Sequence, residues 1–371
     1  MKIILCANTA WYLYNFRLLL AEALRDDGYE VILVSPYDEY VEKLKSAGFS
    51  HITLSIKRKT IAPIADLITL FTLMNIYRKE QPILVHHFTN KCVIFGSLAA
   101  KWTGILKIVN SITGMGYIYS GGQFPRKLLR VIVRSLYRMS LSGTQLIFQN
   151  EDDKNELLQF NELRQSDLHT IQGSGVDLIR FHPGKGPPEP PVIVLVARML
   201  IDKGVTEFIE AAKIIKNLGI NARMILVGKP DSGNPASIPI DKLIKWSKDN
   251  IIEWWEWSDA IEEIYKKAHI VCLPSYREGL PKSLIEATAC GLPIVTTNAI
   301  GCRDVVEDGV NGLLVPVGDA DKLAEALIIL ISNPELRQKM GYQGRKIAEE
   351  KFDADLIISQ TIAVYGYQGK N

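Results

Sequence analysis

A chain of 371 residues, 47% hydrophobic and 23% charged, is long for one core and has ample apolar surface to bury, so two globular domains are expected. The net charge of +2 excludes a nucleic-acid binder of the bulk-basic kind, yet the charge is uneven, because residues 81–150 contain no Asp or Glu and carry eight Lys or Arg. The five cysteines show no CxxC pairing and no clustered His partners, which points to buried free thiols in a reducing cytoplasm.

The N-terminal residues MKIILCANTA lack the charged lead and long apolar core of a signal peptide. In the first half, short runs rich in Ile, Val and Leu predict strands at Lys2–Cys6, Tyr29–Ser35, His51–Ile56, Ile83–Phe88, Lys107–Ile112, Gln145–Gln149 and His169–Ile171. Amphipathic segments separate most of them, the signature of βα units and a parallel sheet. Asp66 interrupts the most apolar helical stretch, Ile61–Ile76, so no transmembrane span is expected. Asp152-Asp153 follows a strand and reads as a helix N-cap rather than a metal-binding carboxylate pair.

The run Pro183–Pro191 is too rich in Pro and Gly for a helix interior or a central strand and reads as a linker. The pattern then restarts, with strands predicted at Val192–Ala197, Ala222–Gly228, Ile251–Trp255, His269–Pro274, Pro293–Thr297 and Gly312–Pro316. The expected class is α/β with two doubly wound, Rossmann-like domains, 1–182 and 183–352. Residues 353–371 form a final helix expected to pack across on the first domain.

In open parallel sheets ligands bind beyond the carboxyl ends of the strands. Three such loops stand out in the second half. The loop after Val192–Ala197 offers Arg198 and Lys203, a fork and a point charge able to grip a diphosphate between them. The loop after Ala222–Gly228 offers Gly228. The loop after His269–Pro274 reads YREGLPKSLIEA, with a helix opening near Pro281, where unpaired N–H groups suit an anion. Glu278 falls in that loop and Glu286 on the second turn of the helix. Taken singly, Glu278 could be a helix-dipole partner and Arg198 and Lys203 a solvated pair, but their convergence on one sheet edge favours a nucleotide-sugar diphosphate site.

These residues resemble the retaining glycosyltransferases of family 4, which have the GT-B fold of two facing Rossmann-like domains. The likeness is carried by Glu278-x7-Glu286 with Gly279 and Ala287, Arg198 with Lys203 and Gly204, Gly175-Val176-Asp177, and Gly291-x-Pro293-Ile294-Val295. The resemblance implies that Arg198 and Lys203 bind the donor diphosphate, Glu286 the ribose and Glu278 the donor sugar. Backbone at Gly279, Leu280 and Lys282 would hold phosphate and sugar, and Gly228 with the loop around Trp255–Trp257 would border the base. The N-terminal half departs from the commonest pattern, with Asn8-Thr9-Ala10 in place of a glycine pair and Thr113-Gly114 in place of His-Gly. Together with Tyr14-Asn15-Phe16-Arg17, Ala99-Ala100-Lys101-Trp102, Gly114-Met115-Gly116 and Gly301-Cys302, these departures look like the N-acetylgalactosaminyltransferases that extend undecaprenyl-diphosphate-linked sugars. By that likeness the donor is a UDP-N-acetylhexosamine, the acceptor a polyprenyl-diphosphate-linked sugar, and the bond α-1,3. Acceptor contacts are expected from Thr9, Asn15, His87, Thr113 and Gly114, with a structural, hydrogen-bonded histidine the alternative for at least one of His86 and His87.

Arg126, Arg130, Arg134 and Arg138 recur every four residues beside Leu128, Leu129, Ile132, Val133 and Leu136. A basic amphipathic helix there would lie on an anionic membrane surface, the other reading being an ordinary surface helix. The enzyme is therefore expected in the cytoplasm, peripheral on the inner face of the cell membrane. No cofactor, metal or nucleic-acid partner is expected. With no nucleophile evident beneath the sugar, retention implies front-face attack. A sugar-nucleotide epimerase on the same fold, a different donor such as UDP-glucose or GDP-mannose, and a non-catalytic binding protein are the alternatives. An NAD-dependent oxidoreductase is disfavoured because the first strand leads into Asn8-Thr9-Ala10-Trp11 without GxGxxG.

Overall fold

A computed structural model of the chain describes residues 1–57, 62–114, 135–158, 164–184, 186–231 and 233–366. They divide into two compact units, residues 1–174 with 357–371, and residues 175–356.

The first unit is built on a seven-stranded parallel sheet of order β3-β2-β1-β4-β5-β6-β7. Its strands are β1 (Lys2–Cys6), β2 (Glu30–Ser35), β3 (Ser50–Thr53), β4 (Leu84–Phe88), β5 (Lys107–Ile112), β6 (Gln145–Phe148) and β7 (Leu168–Thr170). Side chains alternate between the two faces, as the twofold period of a strand demands. Ile3 and Leu5 pack with α1 (Ala10–Asp26) and α2 (Tyr40–Ser46), while Ile4 and Cys6 pack with α3 (Pro63–Glu80) and α4 (Asn90–Trp102). Such strands, buried on both faces, read in sequence as the continuous apolar runs from which they were predicted. Residues 135–141 form a fifth helix, α5. On α6 (Glu151–Leu158) the cap is Asn150 rather than Asp152-Asp153. The Asn150 side-chain oxygen accepts from the Asp153 N–H at 2.7 Å, and its amide donates back to the Asp153 carboxylate at 3.1 Å.

The second unit has a six-stranded parallel sheet of order β10-β9-β8-β11-β12-β13. Its strands are β8 (Val192–Val196), β9 (Arg223–Val227), β10 (Glu253–Trp255), β11 (Ile270–Leu273), β12 (Ile294–Thr297) and β13 (Gly312–Val315). Between and after them run α7 (Val205–Asn217), α8 (Ile240–Lys248), α9 (Ile261–Tyr265), α10 (Lys282–Ala289), α11 (Ala320–Ser332) and α12 (Pro334–Ile347).

The division falls at Ser174–Gly175, ahead of the Pro-rich run, because the segment between them is tied into the second unit. The Val176 N–H donates to the Phe352 carbonyl at 2.8 Å, and Arg345 donates to the carbonyls of Phe181 and Ala289, both at 2.9 Å. Gly175, at φ +73°, passes so close to Ala354 that an added Cβ would stand 2.6 Å from its Cα. The last helix, α13 (Ala354–Tyr365), counts with the first unit from Ile357 onward. There Tyr365 hydrogen-bonds His86 at 2.7 Å, and its carbonyl accepts from Lys107 at 2.6 Å.

Candidate active site

In both sheets the strand order reverses at the centre, between β1 and β4 in the first and between β8 and β11 in the second. Chains leaving neighbouring strands diverge at these points and open a crevice.

In the second unit the crevice is built around one ion pair. From β8 the chain passes Arg198, makes a 3₁₀ turn at Ile201–Lys203 and enters α7 through Gly204. Gly204 is left-handed, at φ +71°, and a Cβ there would lie 2.0 Å from the Pro274 carbonyl oxygen. No other residue lets the two loops approach so closely. That approach brings the Lys203 ammonium onto the Glu278 carboxylate, with side chains 19% and 12% exposed. The Ser275 hydroxyl lies 2.7 Å from the same carboxylate oxygen and 2.9 Å from the Asp202 carbonyl, so it pins Glu278 to the β8 loop. From behind, the Glu278 N–H donates to the Ile300 carbonyl at 3.0 Å, and Gly301, at φ +82°, leaves room for the Glu278 backbone. A desolvated pair of this kind is held by good geometry rather than by charge alone.

Arg198 does not share that pair. It bonds Asp231 on the loop after β9 at 2.7 Å, and its side chain is 58% exposed. Asp231 escaped the sequence reading because nothing local marks it as a partner of a residue 33 positions earlier.

The α10 helix opens at Lys282, with Pro281 as its N-cap residue rather than within its first turn. Leu280 turns its side chain into the core. Glu286 is buried and 3.5 Å from Lys282, and the Tyr265 hydroxyl lies 3.5 Å from its other oxygen while donating to the Ser283 carbonyl at 2.8 Å. Burial pushes the Glu286 carboxyl above the usual range against the pull of Lys282 and Arg180, and burial likewise raises Tyr265. At the end of β9, Gly228 carries φ +144° where a Cβ would meet the Ala197 carbonyl oxygen at 1.9 Å. Its N–H donates to the Trp255 carbonyl at 3.1 Å. Its carbonyl accepts from the Trp254 indole at 2.9 Å, so Trp254, missed in the sequence, touches this glycine with its side chain. Trp255 is half-buried and donates to Glu253 at 3.2 Å.

In the first unit the corresponding crevice is a polar cavity of about 210 Å³, with Asn8, Thr89, Asn90, Lys91, Thr113 and Gly114 on its walls. The structure thus gathers Thr113 and Gly114 at one place. Thr89 precedes α4 with φ +69°, strained for a β-branched residue, and its buried hydroxyl oxygen has no hydrogen-bond partner among the described residues. Lys91 bonds Asp66 at 2.5 Å. Thr9 caps α1, accepting from the Tyr12 N–H at 3.1 Å, and Asn15 spends an amide hydrogen on the Trp11 carbonyl at 2.9 Å.

The structure corrects the expectation for His87. It lies inside β4, fully buried, 2.8 Å from the Tyr77 hydroxyl and 2.9 Å from the Asn110 side-chain oxygen, as in the structural alternative and not as an acceptor contact. Burial lowers it to about 4. His86 is likewise buried, between Tyr365 and Ser111. Both are structural histidines. The strand pattern could not tell this, since a polar residue in a doubly covered strand needs distant partners that the sequence leaves unmarked. Of the arginines expected to face a membrane, Arg126, Arg130 and Arg134 lie outside the described residues, and Arg138 is exposed on α5. Among the described residues no helix is long and apolar enough to cross a membrane, and no cluster of three or more His, Cys, Asp or Glu could hold a metal.

Two parallel-sheet units, each with a crevice at its strand reversal, make up the GT-B fold. Residues 179–347 match the family described as glycosyl transferases group 1, and residues 2–151 that described as glycosyl transferase 4-like, so the chain belongs to the family 4 glycosyltransferases and is a hexosyltransferase. It is 28% identical over 385 aligned residues, covering all of both chains, to an N,N'-diacetylbacillosaminyl-diphospho-undecaprenol alpha-1,3-N-acetylgalactosaminyltransferase of Campylobacter jejuni. It is 25% identical to a UDP-Gal:alpha-D-GlcNAc-diphosphoundecaprenol alpha-1,3-galactosyltransferase of Escherichia coli, covering 83% of this chain and 81% of that one. Among solved structures it resembles Anabaena Alr3699/HepE in complex with UDP and glucose, with a TM-score of 0.78, 18% identity and coverage of 98% and 99%.

Proposed function

We propose that the protein transfers N-acetylgalactosamine from UDP-N-acetylgalactosamine to a saccharide carried on polyprenyl diphosphate. In this reading the configuration is retained, the bond is α-1,3, and no metal is used. The full-length likeness to the Campylobacter jejuni enzyme carries the choice of donor and acceptor. The UDP-galactose donor of the Escherichia coli relative makes that sugar the second reading.

The chemistry rests on the Lys203–Glu278–Ser275 arrangement. The donor diphosphate takes Lys203 over from Glu278, and the N–H groups opening α10 add to its neutralisation. Glu278, still held by Ser275, is then free to accept from hydroxyls of the donor sugar. Glu286 receives the ribose and Arg198 the outer phosphate oxygens. The bond from the anomeric carbon to the leaving phosphate oxygen breaks as the acceptor oxygen bonds on the same face. The acceptor proton passes to that phosphate oxygen, and UDP leaves. The acceptor is received at the polar cavity bearing Thr113 and Gly114, and the enzyme works on the cytoplasmic face of the membrane.

The test is a thermal-shift panel of UDP, GDP, ADP and NAD with UDP-N-acetylhexosamines in chelator, followed by transfer to a lipid-diphosphate acceptor. A ligand at a hundredfold its dissociation constant stabilises by about 2.7 kcal/mol. A response confined to UDP compounds, with turnover unchanged by chelator, is the expected result. A response to NAD alone overturns the reading, and loss of turnover in chelator overturns the metal-free mechanism.

A further inference from the structure

The α3 helix is apolar on two sides. Its inner side, with Leu70, Leu73, Met74 and Tyr77, is buried in the first unit's core. On its outer side Ile64, Leu67, Ile68 and Phe71 are 78%, 52%, 56% and 57% exposed. These four stand at i, i+3, i+4 and i+7, one continuous stripe over the first two turns. Farther along the same side come Asn75, Arg78 and Lys79, all exposed, so the stripe changes from apolar to basic toward the helix end. Asp66, the acid within the apolar stretch, is turned inward onto Lys91 and leaves the outer stripe uncharged. Scattered exposed apolar residues are ordinary, but four adjacent large ones on a single helix face mark an interaction surface.

Charge and position name the occupant. The sequence ahead of α3 reads Lys57-Arg58-Lys59-Thr60-Ile61-Ala62, and the 70 residues that follow Glu80 contain no acid. An apolar helix face with exposed Lys57 ahead of it and exposed Arg78 and Lys79 at its far end matches an anionic bilayer, whose headgroups attract the cations while the acyl boundary takes the apolar side chains. The same end of the helix also adjoins a groove of about 500 Å³ walled by Ala62, Pro63, Ile64, Ala65 and Ile68. Ser55 and Lys57 border that groove, and Ile56 between them borders the polar cavity with Thr113 and Gly114. Apolar groove and polar cavity therefore meet at the β3 exit, an arrangement fit for a molecule with a hydrocarbon chain and a polar head.

We propose that the outer face of α3, through Ile64, Leu67, Ile68 and Phe71, seats the first unit on an anionic lipid bilayer. In this docking the groove beside Ile64 receives the lipid portion of the acceptor; that second part rests on the function proposed above.

The experiment is flotation of the full chain, without donor or acceptor, with vesicles of equimolar phosphatidylglycerol and phosphatidylethanolamine or of phosphatidylcholine alone. The wild type is expected to float with the anionic vesicles. The combined variant Ile64→Ser, Leu67→Ser, Ile68→Ser and Phe71→Ser, made at exposed positions and checked for an unchanged melting temperature, is expected to float at least ~10-fold less. The substitutions Lys57→Ser, Arg58→Ser and Lys59→Ser should erase the preference for anionic lipid. Should the serine variant fail to fold, Phe71→Glu alone provides the same comparison. Equal flotation of wild type and variant, or no flotation of the wild type, overturns the proposal. So does a wild-type dimer in light scattering that the serine variant dissolves while flotation stays unchanged, since the face would then belong to a second copy. Transfer to a short-chain, detergent-dispersed acceptor is measured separately. Flotation without any transfer would remove the function proposed above and leave the docking face standing.

Discussion

The crevices at the two strand reversals differ in their electrostatics. In the second unit nearly every functional side chain is charged and matched: Lys203 with Glu278, Arg198 with Asp231, Lys282 with Glu286. In the first, the cavity walls are mostly neutral hydrogen-bonding groups around one ion pair, and the nearby strand holds two uncharged, buried histidines. A site with exchangeable cations suits a ligand that gains negative charge as it leaves, whereas a site of amides and hydroxyls suits a neutral sugar. The difference teaches that one topology, repeated, can carry two different chemistries, and under the function proposed above these separate donor from acceptor by side chain rather than by fold.

The sharpest way to break this comparison is Lys203→Ala. If the second crevice works by neutralising the leaving group, turnover falls by about 10²–10³, with acceptor KM little changed, in steady-state kinetics. An unchanged kcat would reduce the Lys203–Glu278 pair to a structural tie.

His87 tests the neutral character of the first crevice's surroundings. Its folded value, about 4, lies below the ordinary 6.5, so the unfolded chain binds more protons between those values and stability must fall as pH drops through that window. The full loss is about 3 kcal/mol. Chemical denaturation of His87→Gln, which keeps a side-chain amide for Tyr77 and Asn110, should show a shallower decline over the same range.

Glu286 behaves in the opposite sense. Its carboxyl titrates above the unfolded value, so the folded state takes up the proton first and the ionised group costs stability above its folded value. Glu286→Gln is therefore expected to raise the melting temperature at neutral pH, the gain shrinking to nothing below about pH 4.3. The donor KM should rise about tenfold at the same time if Glu286 meets the ribose. A variant that neither stabilises nor weakens donor binding would remove Glu286 from the site.

The smallest effect is expected at Thr9. Thr9→Ala removes the cap of α1 and should cost about 1 kcal/mol in denaturation, with transfer to the acceptor falling only in proportion to any direct contact.

Period and punctuation are local properties, and what depends on them was legible in the chain. Every predicted strand exists, the restart after the Pro-rich run marks a second sheet, and Glu278 and Glu286 fall in the loop and on the second turn of α10. Partners are not local. Glu278 meets a lysine 75 residues earlier, Arg198 meets Asp231, and His87 finds Tyr77 and Asn110 because α3, β4 and β5 pack against one another. The inward turn of Asp66 is of the same kind. In the sequence it interrupts an apolar stretch. In the fold its pairing with Lys91 carries the charge off the outer face of α3 and leaves Ile64, Leu67, Ile68 and Phe71 as an uninterrupted stripe. Sequence alone thus determined the class of fold and the location of the charged loops, because hydrophobic periodicity and glycine placement act within a few residues. Which charges pair, which histidines are silent and which apolar face stays uncovered were decided by tertiary structure, because burial and ion pairing depend on what packs from far along the chain.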